Sequence, residues 1–432
     1  MLETPPLALY VHFPWCVRKC PYCDFNSHTL HGELEEQRYV AALQRDLEAQ
    51  APEVAGREVS SIFLGGGTPS LFSPRAMAEL LQLARRHLSL AADLEVTLEA
   101  NPGTIERGRF AEYRAAGINR VSLGAQSFDD ARLAALGRIH SADETRRAAD
   151  ELHAAGVDNF NIDLMYGLPD QDADAALRDI EAALALRPSH LSHYQLTIEA
   201  GTVFAGRPPV LPDDEMTDRM LADCQERLAA EGFAQYEVSA YATAGRRCRH
   251  NLNYWSFGDY LGVGAGAHGK LTRPTADSPA VRTPTGANGC VSREVIRTTQ
   301  VREPRRYLSS AGRGTSTRAA VPAEELPFEF MLNALRLVDG FEVSTFTRRT
   351  GLPWETVAGT MAHLIAEGLI VASGTCYRAS SLGLRFLNDV LLRFVTEIPK
   401  SVGQSELSTA PQPPPALATR ALFTGEGGGN VK

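Results

Sequence analysis

Short apolar runs alternate with amphipathic stretches through the first half of the chain. Apolar runs bounded by turn residues predict buried strands, and apolar positions three and four apart predict helices. Six strand-like runs are Leu7–His12, Ser60–Leu64, Leu94–Glu99, Arg120–Leu123, Phe160–Met165 and Leu191–Thr197. Five helical stretches lie between them, at Glu35–Ala51, Pro74–Leu88, Thr104–Ala116, Asp143–Ala155 and Asp174–Leu186.

This alternation predicts a parallel sheet whose strands are connected by crossover helices. A closed barrel of this kind needs about eight strand–helix units, and only six are found before residue 250. We therefore predict an α/β fold whose main domain, residues 1–240, is a partial, TIM-like (β/α)6 barrel. An open barrel has a lateral mouth through which a large substrate can enter.

Residues 241–325 do not continue the alternation. A helix at Asp213–Glu231 and a short strand near Tyr236–Tyr241 lead into an aromatic and glycine-rich run, His250–Gly269. The stretch Arg273–Pro322 is dense in Thr, Ser, Pro, Gly and Arg and has few large apolar residues. This composition predicts a flexible insertion.

A compact pattern returns over residues 326–398. Three helical stretches and two strand-like runs predict a smaller, winged-helix-like α+β domain, with elements at Phe328–Leu337, Val343–Thr350, Trp354–Glu367, Leu369–Ala372 and Cys376–Ala379. The net charge of −9 and the pI near 5.7 speak against nucleic-acid binding. We expect a structural or docking role. Residues 399–432 are low in large apolar residues, and we expect a disordered tail.

Composition is that of a folded globular protein. Of the 432 residues, 44% are hydrophobic and 22% charged, and a chain of this length is expected to form more than one core. No apolar run approaches the roughly 20 residues that span a bilayer. The start of the chain lacks the basic and apolar pattern of a secretory leader. These features predict a cytoplasmic protein without a transmembrane segment.

Three of the seven cysteines, Cys16, Cys20 and Cys23, fall in the loop that follows the first strand. Active sites of barrels gather at this end of the strands. Soft thiolates bind iron-sulfur clusters, zinc or copper(I), and a disulfide framework is not expected in a chain of this kind. The spacing predicts a metal centre in which three thiolates hold three corners of a 4Fe-4S cubane.

The fourth iron of such a cubane would lack a protein ligand, because Phe25 stands where a further cysteine could have been. An open iron can bind the amino and carboxylate groups of S-adenosylmethionine (SAM), and an electron from the cluster then cleaves the sulfonium to an adenosyl radical. The alternative is a zinc knuckle, which would take its fourth ligand from Asp24, His12 or His28.

Polar and glycine residues follow the next predicted strands. Gly65–Gly67 end the second strand, where bare backbone can approach a ligand closely. Glu99, Gln126, Arg138 and Asp163 stand at or just after the following strand ends. Each could be a turn or capping group, but their joint position at one edge of the sheet predicts a binding site.

These residues belong to runs that resemble a known family. The runs are YVHFPWC from Tyr10, GGGTPS from Gly65, EANP from Glu99, GAQSF from Gly124, DLMYGLP from Asp163 and HNLNYW from His250. With the C-x3-C-x2-C loop, they resemble the radical SAM superfamily. Within it they are similar to the oxygen-independent coproporphyrinogen III oxidase group and its HemW branch of haem chaperones. The resemblance extends from about Leu7 to Gly269 and resumes at Pro327.

The resemblance implies a radical SAM barrel that holds a 4Fe-4S cluster, SAM and haem. Cys16, Cys20 and Cys23 would bind the cluster. The residues implied to contact SAM are Tyr10, Tyr22, Gly66, Gly67, Thr68, Glu99, Gln126, Arg138 and Asp163. The tyrosines could instead be ordinary core aromatics.

In the HNLNYW run, His250 is the candidate haem ligand, and His268 is a second candidate. A histidine beside aromatic residues is also often a core residue whose hydrogen bonds are satisfied.

Phe25 distinguishes two functions within the group. Members that decarboxylate coproporphyrinogen have a further cysteine at this position, whereas the HemW branch does not. The resemblance therefore implies a chaperone that delivers haem to acceptor proteins such as respiratory enzymes. A coproporphyrinogen III dehydrogenase is the alternative. A structural zinc protein or a DNA-binding regulator is a third class, which explains the residues at the strand ends poorly.

Overall fold

The structure is a computed structural model that describes residues 3–104, 109–274, 293–314 and 316–395. The predicted disordered tail lies outside these residues, as does the central part of the predicted flexible insertion. None of the described helices is long and apolar enough to cross a membrane.

Six strand–helix repeats follow one another along the first half of the chain, and they confirm the predicted α/β barrel. Their strands bury apolar side chains against the helices, and helices begin at capping residues such as Ser73 and Ser141. The elements in chain order are β1 (Leu7–Phe13), β2 (Trp15–Cys16), β3 (His28–Thr29), α1 (Glu36–Gln50), β4 (Glu58–Gly66), α2 (Pro74–His87), β5 (Ser89–Ala100), α3 (Arg109–Ala116), β6 (Arg120–Gln126), α4 (Asp130–Ala135), α5 (Ala142–Ala154), β7 (Phe160–Tyr166), α6 (Ala173–Ala185) and β8 (His190–Gln195).

Further strands extend this sheet at both edges. The next elements are α7 (Val203–Gly206), α8 (Asp214–Ala230), β9 (Ala234–Glu237), β10 (Ala240–Ala242), α9 (Arg249–Trp255), β11 (Asp259–Val263), β12 (His268–Pro274), β13 (Arg293–Thr299), α10 (Pro304–Ser310) and β14 (Thr317–Ala320). In the described residues the sheet has 12 strands in the order β14-β13-β12-β11-β1-β4-β5-β6-β7-β8-β10-β9. The run from β11 to β8 is parallel, and the outer pairs are antiparallel.

Two features of residues 241–325 differ from the sequence predictions. Strand β11 lies within the predicted glycine-rich run and adds a seventh parallel strand beside β1. The described part of the predicted flexible insertion contains β13, α10 and β14, so an irregular connection was wrong for residues 293–314 and 317–320. Both strands have few apolar residues, and ladder hydrogen bonds pair β13 with β12 on one side and with β14, the edge strand, on the other.

The C-terminal residues form the predicted winged-helix-like unit. A short strand lies between its first and second helices and a hairpin follows the third, and these strands form a sheet of order β15-β17-β16. Its core includes Phe330, Phe346 and Met361. Phe257, just before β11, and Val295 of β13 belong to the same core. The elements are α11 (Leu326–Ala334), β15 (Phe341–Glu342), α12 (Val343–Thr350), α13 (Glu355–Ala366), β16 (Ile370–Ser373), β17 (Cys376–Ala379), α14 (Ser381–Arg385) and α15 (Leu387–Leu392).

A buried ion pair joins the two units. Arg336, just after α11, lies 2.9 Å from Glu237 at the end of β9, and both side chains are almost fully enclosed. The Arg336 guanidinium also lies 4.3 Å from the ring centroid of Trp255 in α9. A backbone bridge between Glu237 and Leu337 continues the contact. The C-terminal unit is therefore packed against β9 and α9 rather than held by a linker alone.

We predict that Arg336→Met lowers the free energy of unfolding by about 3–5 kcal/mol, because it leaves the Glu237 carboxylate buried without its partner. Urea unfolding measures the change. The matched control is Arg247→Met, which removes an exposed ion pair to Asp339 across the same interface and should cost about 1 kcal/mol or less. An equal decrease in the free energy of unfolding in the two variants would show that burial of the Arg336–Glu237 pair does not increase its contribution to stability.

Candidate metal and cofactor site

A cavity opens where the parallel strands end. It is lined by most of the residues that the sequence predicted for this site, namely Cys16, Cys20, Tyr22, Cys23, Gly66, Gly67, Thr68, Glu99, Gln126, Arg138 and Asp163. Parallel strands bring their carboxyl ends to one edge, so residues far apart in sequence meet there. Tyr10 and His250 do not line this cavity.

The three cysteines form no disulfide and share one loop. Cys16 lies in β2, which pairs with β3 and so closes the loop at its base. Arg138 donates to the Cys20 sulfur at 3.7 Å, and the Ser27 hydroxyl lies 3.6 Å from the Cys23 sulfur. The loop therefore presents three thiols to the cavity with polar groups around the sulfurs.

Burial makes the thiols of Cys16 and Cys23 poor acids. Burial raises the pKa of Cys16 to about 11, although a hydrogen bond with Thr68 partly opposes the shift. Burial also raises the pKa of Cys23. Metal ligation requires thiolates, so binding must release these protons. The free energy of metal binding would then depend on pH.

The loop is fastened to the opposite side of the cavity by Asn26, a residue that sequence reasoning missed. Its side-chain amide donates to the carbonyls of Ala265 and Arg302, both at 2.9 Å. Its own carbonyl lies 3.0 Å from Nε2 of His12. An asparagine in a loop has no distinctive sequence signal, because the carbonyls that its side chain binds lie more than 200 residues away.

The end of β4 approaches the cysteine loop too closely for side chains. A Cβ on Gly67 would lie 2.6 Å from the carbonyl oxygen of Trp15, and one on Gly66 would lie 2.5 Å from the ring of His12. Gly66 also has φ of +117°, which favours glycine. The amides of Gly67 and Thr68 donate to the carbonyls of Phe13 and Trp15 at 2.6 and 2.7 Å. The glycine run thus fits β4 against the cysteine loop.

Two carboxyl groups face each other across the cavity. Burial, and then repulsion from Asp163, raise the pKa of Glu99 to about 8, although Glu99 accepts from the Gly66 amide at 2.9 Å. Burial likewise raises the pKa of Asp163, which accepts from Asn161 at 2.6 Å and from Ser122 at 3.0 Å. A bound cationic group would relieve this repulsion and favour the charged carboxylates.

Gln126 and Arg138 complete this edge. Gln126 has φ of +69°, uncommon for a residue with a side chain, and lies at a shift in register between β6 and β7. Such backbone costs about 1–3 kcal/mol and is typical of functional sites. The Tyr194 hydroxyl donates to Gln126 at 2.6 Å, and Arg138 donates to the Gly124 carbonyl at 2.7 Å. The two side chains are held in place before any ligand binds.

Known proteins are similar to this chain over almost its whole length. The radical SAM superfamily model matches residues 10–183, and the HemN C-terminal domain model matches residues 321–386. The heme chaperone HemW of Escherichia coli K12 is 46% identical over 92% of this chain and 100% of its own length. The chain belongs to the HemW family of radical SAM proteins. HemW of Haemophilus influenzae is 43% identical, with 92% and 100% covered.

The solved structure of coproporphyrinogen III oxidase HemN from Escherichia coli has the same fold. Its TM-score is 0.73, and 90% of each chain is covered at 21% sequence identity. This likeness supports the radical SAM barrel and its C-terminal domain. At this identity it does not decide between the activities of the two families.

The residues present fit the cluster and SAM that the radical SAM family implies. In the described residues no three or more His, Cys, Asp or Glu side chains converge on one metal ion. A cubane does not need such convergence, because each cysteine binds a different iron. His12, a candidate for a zinc ligand, has its ring nitrogens 2.9 Å from the Tyr10 hydroxyl and 3.0 Å from the Asn26 carbonyl.

Two predicted ligands lie behind the cavity rather than in it. Tyr10 is 1% exposed and stacks on Phe63. His250 is fully enclosed, with Nδ1 near the Ser61 hydroxyl at 3.1 Å, and burial lowers its pKa to about 3. In this conformation neither side chain reaches a ligand at the mouth. His268, the second haem candidate, does line the cavity.

The sequence predictions missed several polar residues that line the cavity before the strand ends. Alternate residues of a strand face the same side, so Arg120 and Ser122 share the cavity face of β6 with Gln126, and Asn161 shares that of β7 with Asp163. The alternation of side chains along each strand indicates these positions. They lie before the strand ends, where no site residue was predicted.

We predict that Gly67→Ala reduces the iron bound per chain by roughly half or more, because changes beside the ligands often cost about 10- to 100-fold in metal affinity. The new methyl group would press on the Trp15 and Phe13 carbonyls at the base of the cysteine loop. Iron analysis after anaerobic reconstitution measures the effect. Gly359→Ala in α13, with open space around the new methyl group, is the control and should retain wild-type iron.

We predict that Glu99 makes the cofactor-free protein less stable as the pH rises from about 4.5 to about 8. In that window the unfolded chain has lost this proton and the folded protein keeps it, so each step up in pH costs folding free energy. Glu99→Gln should reduce the decline in unfolding free energy by about 1–3 kcal/mol. Urea unfolding near pH 5 and pH 8 tests it. Glu112→Gln, on the exposed face of α3, should leave the decline unchanged.

Proposed function

We propose that this protein is a haem chaperone of the HemW type, which binds haem, a 4Fe-4S cluster and SAM and transfers haem to acceptor proteins, among them respiratory enzymes. The carrying observation is the 46% identity to a relative named heme chaperone HemW over that relative's whole length. We place its action in the cytoplasm, where a reducing environment preserves cluster thiols.

The cysteine loop supports the cluster assignment. Cys16, Cys20 and Cys23 would each bind one iron, and Arg138 beside Cys20 would help to balance the negative charge of the thiolates. A cluster with an open iron supplies one-electron chemistry to a bound sulfonium. In a chaperone, the cluster and SAM would gate haem transfer rather than drive repeated turnover.

The facing carboxyl groups support the SAM assignment. SAM carries a positive sulfonium and ammonium group, and Glu99 and Asp163 are the acidic pair at the cavity edge. Burial raises the pKa of both groups, and repulsion from Asp163 adds to the shift of Glu99, so a bound cation would be favoured beside them. Gly66, Gly67 and Thr68 would border the methionine end. The rest of the SAM molecule would be bordered by Gln126, Arg138 and Tyr22. Tyr10 would support the site indirectly, through its hydrogen bond with His12.

The cavity also supports haem binding, and of the two candidate histidines His268 is the one that lines it. His268 is partly exposed at the cavity, and its Nδ1 lies 3.3 Å from the Thr299 hydroxyl. His250 would need α9 to move before it could reach an iron, because Phe63 and Tyr254 enclose its ring. We therefore favour His268 as the residue that meets haem in this conformation.

A coproporphyrinogen III dehydrogenase is the second candidate, and the HemN-like fold is the observation that favours it. That enzyme would remove a hydrogen atom from each of two propionate side chains and release carbon dioxide, with an oxidant accepting the remaining electron. Phe25 lines the cavity at the position where the decarboxylating members are expected to have a cysteine. The chaperone is therefore the better-supported function.

One anaerobic experiment separates these functions. The cluster-reconstituted protein is given SAM and a reductant, with haem in one reaction and coproporphyrinogen III in the other. We expect about one haem bound per chain and no loss of carboxyl groups from the porphyrinogen. Absorbance and mass spectrometry measure the two outcomes.

The controls test the role of the cluster. Cys20→Ser should lose the cluster signal in electron paramagnetic resonance, whereas Cys376→Ser, outside the cavity, should keep it.

Release of two carbon dioxide molecules per porphyrinogen by the wild type would overturn the chaperone assignment and establish the enzyme. Absence of haem binding would also overturn it.

A further inference from the structure

The barrel interior contains a group of side chains with unpaired polar atoms, below the cofactor residues. Thr97 Oγ1, Arg120 Nε, His250 Nε2 and Asn251 Oδ1 are buried and have no hydrogen-bond partner among the described residues. Thr97 and Arg120 are register partners on β5 and β6. Phe63, which stacks on the His250 ring, is the register partner of Thr97 on β4. These four side chains, which we call the barrel floor, form one neighbourhood.

The unusual member is Arg120. It is 2% exposed, lines the cavity and forms no ion pair or hydrogen bond with another described residue. Buried charged groups are almost always paired. A buried neutral group without a hydrogen-bond partner costs about 1–3 kcal/mol of folding free energy, and a charged group costs more. Asn251 also lines the cavity, so a ligand that enters can reach both side chains.

The nearest acidic groups are already engaged elsewhere. Glu95 accepts from the backbone amides of Arg249 and His250 at 2.9 and 3.3 Å and from the Cys248 thiol at 3.5 Å. It thereby caps the start of α9. Asp163 accepts from Asn161 and Ser122. Both carboxylates lie near enough to influence Arg120, but neither binds its guanidinium. The directional donors of Arg120 remain available.

We propose that the barrel floor is a carboxylate-binding site and that its occupant is a propionate of the haem cargo. The inference rests on the proposed function. A guanidinium is suited to bind a carboxylate through two parallel hydrogen bonds. Thr97 and Asn251 add neutral polar groups beside it, and the Phe63 ring, which also lines the cavity, offers an apolar face to a macrocycle.

SAM is the other molecule in this site with a carboxylate, but its expected place is different. Its amino and carboxylate groups are directed to the open iron at the cysteine loop. Thr97 and Arg120 precede Glu99 and Ser122 by two residues in the same register, and two residues of strand span about 7 Å. The floor therefore lies one layer deeper in the barrel than Glu99, farther from the strand ends that border the cysteine loop. A second, deeper carboxylate is better supplied by the porphyrin.

Haem and haem dimethyl ester separate propionate recognition from binding of the macrocycle. Both are titrated anaerobically into the cluster-reconstituted full chain, in the same detergent, and followed by Soret absorbance. We expect the wild type to bind haem roughly tenfold or more tightly than the ester, the size of one charged hydrogen-bonded contact. In Arg120→Gln that preference should be lost, with both ligands bound about equally.

Arg132→Gln is the matched control. Arg132 pairs with Asp129 on the short helix α4 and does not line the cavity, so its removal changes the net charge equally and should retain the preference for haem. Iron content and the thermal midpoint of each variant show whether it is folded. If Arg120→Gln does not fold, the wild-type comparison still tests whether a propionate is recognised, and Arg120→Lys then tests the position.

Several outcomes would overturn the inference. Equal binding of haem and ester by the wild type would exclude propionate recognition. A preference retained in Arg120→Gln would place the propionate elsewhere, for example at Arg302 on the cavity mouth. A change in SAM affinity alone would assign the floor to SAM. A wild type that binds neither porphyrin would defeat the proposed function itself, which distinguishes that failure from the others.

Discussion

The site depends on the close approach of bare backbone at the end of β4 to the loop that carries the cysteines. No side chain fits at Gly66 or Gly67, because His12 and the Trp15 carbonyl occupy that space. His12 is in turn bound to Tyr10 and to the Asn26 carbonyl. The loop, the glycine run and the first strand are therefore joined by close contacts and hydrogen bonds. Three thiols on a loop held in this way face the same cavity as the carboxyl groups of Glu99 and Asp163.

The interior of this barrel is polar where a closed barrel would be filled by apolar side chains. Facing carboxyl groups, a positive φ at Gln126 and unpaired atoms at the floor each oppose folding. The large apolar core between sheet and helices offsets these costs. Stability is thus concentrated on the outer face of the sheet. Most of the polar groups that oppose folding lie where ligands would satisfy them.

Sequence reasoning predicted what depends on local pattern. Apolar periodicity predicted the six repeats, and the position of Cys16, Cys20 and Cys23 after the first strand predicted the thiols that line the cavity. Strand β13 was missed because it lies in a polar stretch of the sequence and is held by ladder hydrogen bonds to β12 and β14. Asn26 and Arg120 were missed because their importance comes from distant neighbours. The enclosure of His250 could not be predicted, since it depends on how α9 packs into the barrel.

Helix α9 connects the barrel floor to the C-terminal unit. His250 and Asn251, near its start, face the barrel interior, where the Phe63 ring stacks on His250. Trp255, at its end, lies beneath the Arg336 guanidinium. Glu95 fixes the first turn by accepting its amides. A seven-residue helix has little stability of its own. Its position, and with it the geometry of the floor, must therefore depend on the docking of the C-terminal unit.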